Sequence, residues 1–94
     1  MSTGNITLTM IKPYAVKEHH IGEILSMIEK NGFQIRALKM TQLPTEKAEL
    51  FYLEHKEKPF FSDLINFMSS GPVVAAILQK ENAVEEFRQL IGST

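Results

Sequence analysis

The chain has no cysteine and no tryptophan among its 94 residues. Without thiols, disulfide staples and thiolate metal sites are excluded, and stability must rest on apolar packing. Long apolar runs are also missing, and none approaches the roughly 20 residues that cross a bilayer. Nor is there an excess of one charge: 10 Lys and Arg face 11 Asp and Glu, a formal net charge of −1. With no basic tract and no acidic block, nothing argues for a nucleic acid or a membrane surface as partner. Met1-Ser2-Thr3-Gly4 lacks the basic and apolar regions of a secretory leader. What is there is 44% hydrophobic residues, enough for one modest core. The expectation is a single cytoplasmic domain over residues 1–94.

Ile6-Thr7-Leu8-Thr9-Met10-Ile11 alternates apolar and hydroxyl side chains before turning apolar, which predicts a strand with one buried face. Pro13 ends it and holds Lys12 extended. Ile21, Ile24, Leu25 and Ile28 recur at helical spacing and predict a helix over 18–30, closed by a left-handed Gly32. Residues 33–40 predict a second strand, with Phe33, Ile35, Ala37 and Lys39 on one side. A helix over 46–53 follows, with Thr45 as N-cap. The stripe from Phe60 to Met68 predicts a further short helix. Residues 73–78 are wholly apolar and predict a central strand buried on both faces. Asn82, with Glu85 three residues on, is the expected N-cap of a last helix. This order predicts an α+β sandwich with helices on one side of the sheet. From these patterns alone the reading stops at a soluble α+β domain whose ligand is open.

The motifs narrow the choice. Thr9-Met10-Ile11-Lys12-Pro13, Ile21-Gly22-Glu23-Ile24, and Phe51-Tyr52 before His55-Lys56-Glu57-Lys58-Pro59-Phe60-Phe61 stand in order with Ser69-Ser70-Gly71-Pro72-Val73-Val74, Asn82-Ala83-Val84 and Leu90-Ile91-Gly92-Ser93-Thr94. Taken together, from about Asn5 to the last residue, they resemble the nucleoside diphosphate kinase family. Tyr14 departs from the family's usual Asp. The resemblance implies a ferredoxin-like split βαβ sandwich. It also implies transfer of the γ-phosphoryl group of ATP and other nucleoside triphosphates to nucleoside diphosphates, through a phosphohistidine and with Mg2+. Lys12 would contact the phosphates, and Tyr52 would support the catalytic histidine. Phe60 would stack on the base with Leu64 closing the clamp, while Arg88 and Thr94 would bind phosphate. Lys and Arg suit phosphate chemically, and an aromatic face accepts any base.

The family's nucleophilic histidine lies in a segment that Met1 to Thr94 does not contain. His19, His20 and His55 do not match its motif, and read alone they are solvated or structural side chains. The expectation is therefore a truncated N-terminal portion, inactive by itself, or else a non-catalytic nucleotide-binding or oligomerisation module. Metal in the family is held by nucleotide phosphates and water, so Glu54 and Asp63 are not expected as ligands. The resemblance further implies dimer-based homo-oligomers, using the first helix and second strand. It places a fourth strand, absent here, beside residues 6–11, which would leave that strand exposed and able to recruit an edge from another molecule.

Overall fold

The apolar run at 73–78 becomes the middle strand of the sheet. In a computed structural model, which describes residues 4–92, β3 (Pro72–Gln79) pairs antiparallel with β1 (Ile6–Ile11) on one side and β2 (Gln34–Gln42) on the other. Around these three strands lie α1 (Pro13–Lys17), α2 (Ile21–Lys30), α3 (Thr45–Phe51), α4 (Phe61–Met68) and α5 (Ala83–Gly92). This is the expected ferredoxin-like α+β arrangement, with three strands among the described residues.

The helices flank both faces of the sheet rather than one. Directly paired residues of an antiparallel ladder share a face, and neighbours along a strand alternate. Ala76 and Leu78 therefore face one way, with Ile35 opposite Leu78, and pack with Ile28, Phe33, Ala83 and Phe87 from the α2 and α5 side. Val73 and Met10 face the other way and pack with Ala48, Ile65 and Met68 from α3 and α4. Helical periodicity says that a stripe is buried but not against which face, and so the sequence pattern could not assign the sides. The α3–α4 pair reaches only one end of its face. At the other end Ile77 stays 40% exposed, and Leu8, its β1 partner, 49%. The expectation that β3 is buried on both faces throughout thus fails at Ile77, and β1 buries less than its alternation predicted.

The register of β2 shifts between Ile35 and Ala37, which pair with the adjacent residues Leu78 and Ile77. This bulge puts Ile35 and Ala37 on opposite faces, against the expectation that both share one side. A second departure is that the helix expected over 18–30 begins only at Ile21, after a separate short helix over Pro13–Lys17. His19 takes φ 65 and separates α1 from α2. Thr45 is the first helical residue of α3, and Pro44, extended at φ −64 and ψ 155, holds the N-cap position. Asn82 directly precedes α5 at φ 59, and its carbonyl accepts from the Glu86 N–H at 2.9 Å. That left-handed backbone differs from the extended one of an ordinary N-cap.

The end of α2 follows expectation closely. Gly32, at φ 89, donates its N–H to the Glu29 carbonyl, while the Phe33 N–H reaches that of Ile28. These two bonds form a Schellman closure, and the matching apolar contact is Ile28 with Phe33. Phe33 meets Phe87 edge to face at 5.6 Å between ring centroids. Lys80 lies over the Phe33 ring at 4.9 Å and donates to the Asn31 carbonyl and to Glu86 Oε1. The start of the chain is tied to the same region. The Lys80 and Val84 N–H groups donate to the Asn5 and Gly4 carbonyls, and the Asn82 N–H donates to Asn5 Oδ1.

Because Gly32 needs a left-handed backbone, Gly32→Ala is expected to lower unfolding stability by about 1–2 kcal/mol. Leu78→Ala, at a fully buried central position, is expected to cost about 2–5 kcal/mol. Urea unfolding checks both, and an unchanged midpoint for either variant contradicts the packing described.

Candidate functional site

Lys12 closes β1. Pro13 restricts it to extended backbone, at φ −72 and ψ 160, and then serves as the first residue of α1. The Lys12 carbonyl accepts from the Val16 N–H at 3.1 Å, while its side chain is exposed. Beside it runs a groove of about 410 Å³ between β1, α2 and α5, whose walls include Ile11, Ile24, Phe87 and Ile91. Arg88 follows Phe87 on α5 and points to solvent. Neither the Lys12 ammonium nor the Arg88 guanidinium makes a hydrogen bond or ion pair among the described residues, and Arg88 does not pair with Glu85.

A second group gathers where α3 gives way to α4. Tyr52 caps α3, donating its N–H to the Ala48 carbonyl, and its half-buried ring packs on the α3–α4 core. A 3-10 turn over Leu53–His55 follows, and the His55 N–H donates to the Tyr52 carbonyl at 2.8 Å. This turn sets the His55 ring 6.4 Å from the Tyr52 ring at 29°, and 5.8 Å from the Phe60 ring. The consecutive phenylalanines divide their work. Phe61 packs into the α3–α4 core, whereas Phe60, at the N-cap of α4, is 47% exposed. Leu64 donates its N–H to the Phe60 carbonyl at 2.9 Å, one turn into α4, and its side chain packs against the α3–α4 core.

The end of β1 lies between the two groups. Met10 packs in the cluster that holds Tyr52 and Leu64, while Ile11 and Lys12 line the groove with Phe87. The structure therefore joins Tyr52, Phe60 and Leu64 through His55 and the α3–α4 core, and brings Lys12 beside α5. No side-chain contact ties Arg88 to either group among the described residues. Thr94, also expected at the site, lies outside the described residues. Such an arrangement can hold a flat ring against Phe60 and present two cations to an anion.

His55 is the residue that sequence reasoning set aside. Its Nδ1 is buried with no hydrogen-bond partner, and Nε2 lies 3.9 Å from Glu54 Oε2. A buried ring nitrogen without a partner is uncommon and marks a place for a polar group. The signal was its spacing, one helical turn after Tyr52 and five residues before Phe60. His19 and His20 sit in the turn between α1 and α2, where His20 Nδ1 is 3.3 Å from Glu23 Oε1. Among the described residues no group of three or more His, Asp or Glu is placed to hold a metal ion, and Glu54 and Asp63 are both exposed.

Burial raises the Tyr52 phenol above its ordinary value of 10.0. A raised value means that the folded protein keeps the proton longer than the unfolded chain. The resulting stabilisation is complete below about pH 10 and fades as the pH climbs through the folded-state value. Subtracting the alkaline phenolate titration of Tyr52→Phe from that of the parent chain should leave one transition above 10.0. A transition at or below that value contradicts the burial.

Comparison with known proteins now bears on this geometry. The nucleoside diphosphate kinase family matches residues 5–94. The nucleoside diphosphate kinase of Flavobacterium psychrophilum is 54% identical over 90 residues, covering 96% of this chain and 65% of that protein. That of Glaesserella parasuis is 57% identical over 88 residues, covering 94% and 64%. This chain thus spans just under two thirds of the length of these relatives. Among solved structures, the Aquifex aeolicus nucleoside diphosphate kinase superposes with a TM-score of 0.90 at 48% identity, over 93% of this chain and 62% of that one. The Halobacterium salinarum nucleoside diphosphate kinase in complex with CDP gives 0.89 at 36%, over 92% and 57%. The chain belongs to the nucleoside diphosphate kinase family.

Proposed function

We propose that the complete enzyme to which this chain corresponds transfers the γ-phosphoryl group of ATP, or another nucleoside triphosphate, to a nucleoside diphosphate through a phosphohistidine. In this reading it works in the cytoplasm as a dimer-based homo-oligomer. Phe60 takes the base on its exposed face and Leu64 closes the clamp beneath it. Lys12 and Arg88, with Thr94, hold the phosphates, and Tyr52 supports the catalytic histidine. A relative's structure holds CDP, which suits a ring-and-phosphate site of this kind. The observation that carries the reading is the exposed Phe60 ring 5.8 Å from the ring of His55, whose Nδ1 is buried and unpartnered.

The chemistry asks little covalent work of most of these groups. Phosphoryl transfer depends on alignment and on stabilising charge spread over the phosphate oxygens, and a histidine nucleophile divides one hard transfer into two. Lys12 offers a compact charge held by a stiff backbone, and Arg88 a fork of donors. Magnesium, riding on the nucleotide, neutralises phosphate charge. In this reading the metal would be held by the nucleotide phosphates and water.

None of His19, His20 or His55 is the proposed nucleophile. The 94-residue chain mixed with labelled ATP is therefore expected to give no acid-labile phosphohistidine, and a stoichiometric signal refutes its inactivity alone. Calorimetric titration with magnesium and ATP tests binding separately. Lys12→Ala and Arg88→Ala are each expected to weaken it by about 1.5–3 kcal/mol. Phe60→Ala should cost roughly 1–3 kcal/mol regardless of the base. Binding that none of the three variants alters would remove the proposed site.

A further inference from the structure

The turn that ends α2 sets a side-chain amide beside a backbone nitrogen with which it can react. Asn31 is followed by Gly32, whereas Asn5, Asn66 and Asn82 are followed by Ile6, Phe67 and Ala83. A backbone nitrogen can attack the side-chain amide of the asparagine before it, and glycine, with no Cβ, puts nothing in the way. Asn31 and Gly32 are both exposed to solvent. In the folded chain, however, each reacting group is already held. Asn31 Nδ2 donates to the Met27 carbonyl at 2.8 Å, and the Gly32 N–H donates to the Glu29 carbonyl at 3.0 Å. The peptide between them is fixed as well, since Lys80 Nζ donates to the Asn31 carbonyl at 2.9 Å. Asn31 sits at φ −94 and ψ 15. A ring closed between its side chain and the Gly32 nitrogen needs that nitrogen nearly eclipsed with Cβ, and at this ψ it is turned well away.

We propose that Asn31 is a deamidation site held shut by the closure of α2, so that it reacts only when the helix end opens. In the opened turn the Gly32 nitrogen gives up its proton to solvent base and bonds to Asn31 Cγ. The Cγ–Nδ2 bond breaks, and Nδ2 leaves as ammonia. Water then opens the cyclic imide at one carbonyl or the other, leaving aspartate or, with the chain rerouted through the side chain, isoaspartate. One water is consumed and one ammonia released, and no oxidant or reductant takes part.

Either product undoes the turn that protected it. Aspartate replaces the Nδ2 donor with an acceptor facing the Met27 carbonyl, at the end of α2 where the helix dipole is negative. Isoaspartate adds a backbone carbon before Gly32, and the paired bonds from Gly32 and Phe33 back to Glu29 and Ile28 lose their spacing. Phe33 packs with Ile28 and against Phe87, so opening this end loosens the core between α2 and α5. The inference uses none of the residues proposed to bind nucleotide and stands apart from that reading.

To test it, the 94-residue chain is incubated in mildly alkaline buffer, folded and in parallel unfolded in urea. Its peptides are then scored by mass for acid in place of amide at each asparagine, and for isoaspartate. In urea Asn31 should convert well before Asn5, Asn66 and Asn82. In the folded chain it should convert at least about tenfold more slowly than in urea, because only the locally opened fraction reacts. Ile28→Val, which thins the apolar contact with Phe33, should speed conversion of the folded chain several-fold and leave the rate in urea unchanged. The comparison of folded with unfolded parent chain holds even where that variant folds poorly. Equal rates in the folded and unfolded parent overturn the proposal. So does a folded Ile28→Val chain that converts no faster than the parent, or another asparagine that outpaces Asn31 in urea.

Discussion

Everything in this molecule leans on β3. It pairs on both sides, and its two faces serve two separate cores: Ala76 and Leu78 anchor the α2 and α5 layer, while Val73 anchors α3 and α4. Helices cover both faces of this strand except at Ile77, which is why nearly continuous apolar character is tolerated there. The two cores do not merge. They are held in register only because their residues alternate along one backbone.

That division also explains where functional groups gather. The Tyr52 ring packs on the α3–α4 core, with the His55 and Phe60 rings following outward from it, whereas Arg88 rides on the helix that covers the other one. β1 is the element that touches both, with Met10 in one core and Ile11 in the groove beside the other. Lys12, placed by Pro13 at the end of that strand, stands at the meeting point of the two layers. A ligand contacting both layers there would sense their relative position.

Much of this was legible in the chain, for identifiable reasons. Pro13 and the alternation before it located the end of β1, because a proline admits few backbone conformations. Gly32 marked the end of α2, because its left-handed turn suits few other residues. The apolar run at 73–78 announced the central strand. The bulge in β2 was hidden, since no glycine or proline marks Arg36 and the extra residue reveals itself only against β3. The break at His19 was hidden likewise, because no glycine marks its left-handed backbone. Side assignment was beyond reach because a buried stripe does not say what buries it. In the site, Lys12, Tyr52, Phe60, Leu64 and Arg88 stood out by family motif, and only the fold separated outward Phe60 from inward Phe61. His55 stayed unnoticed because its importance lies in a ring nitrogen enclosed by neighbours.

The clamp between the chain's beginning and the turn before α5 carries a kinetic consequence. Asn5 holds Asn82 across 77 positions of sequence, and among the described residues β1 finds its ladder partner only in distant β3. Contacts of such long range close slowly, because a large loop must be ordered before any reward is felt. During synthesis β1 would wait, unpaired by β3 and uncharged, until residues 72–79 have followed. A segment translated well before its partner is thus late to settle, and its exposure to chaperones is governed by how quickly residues 72–79 emerge.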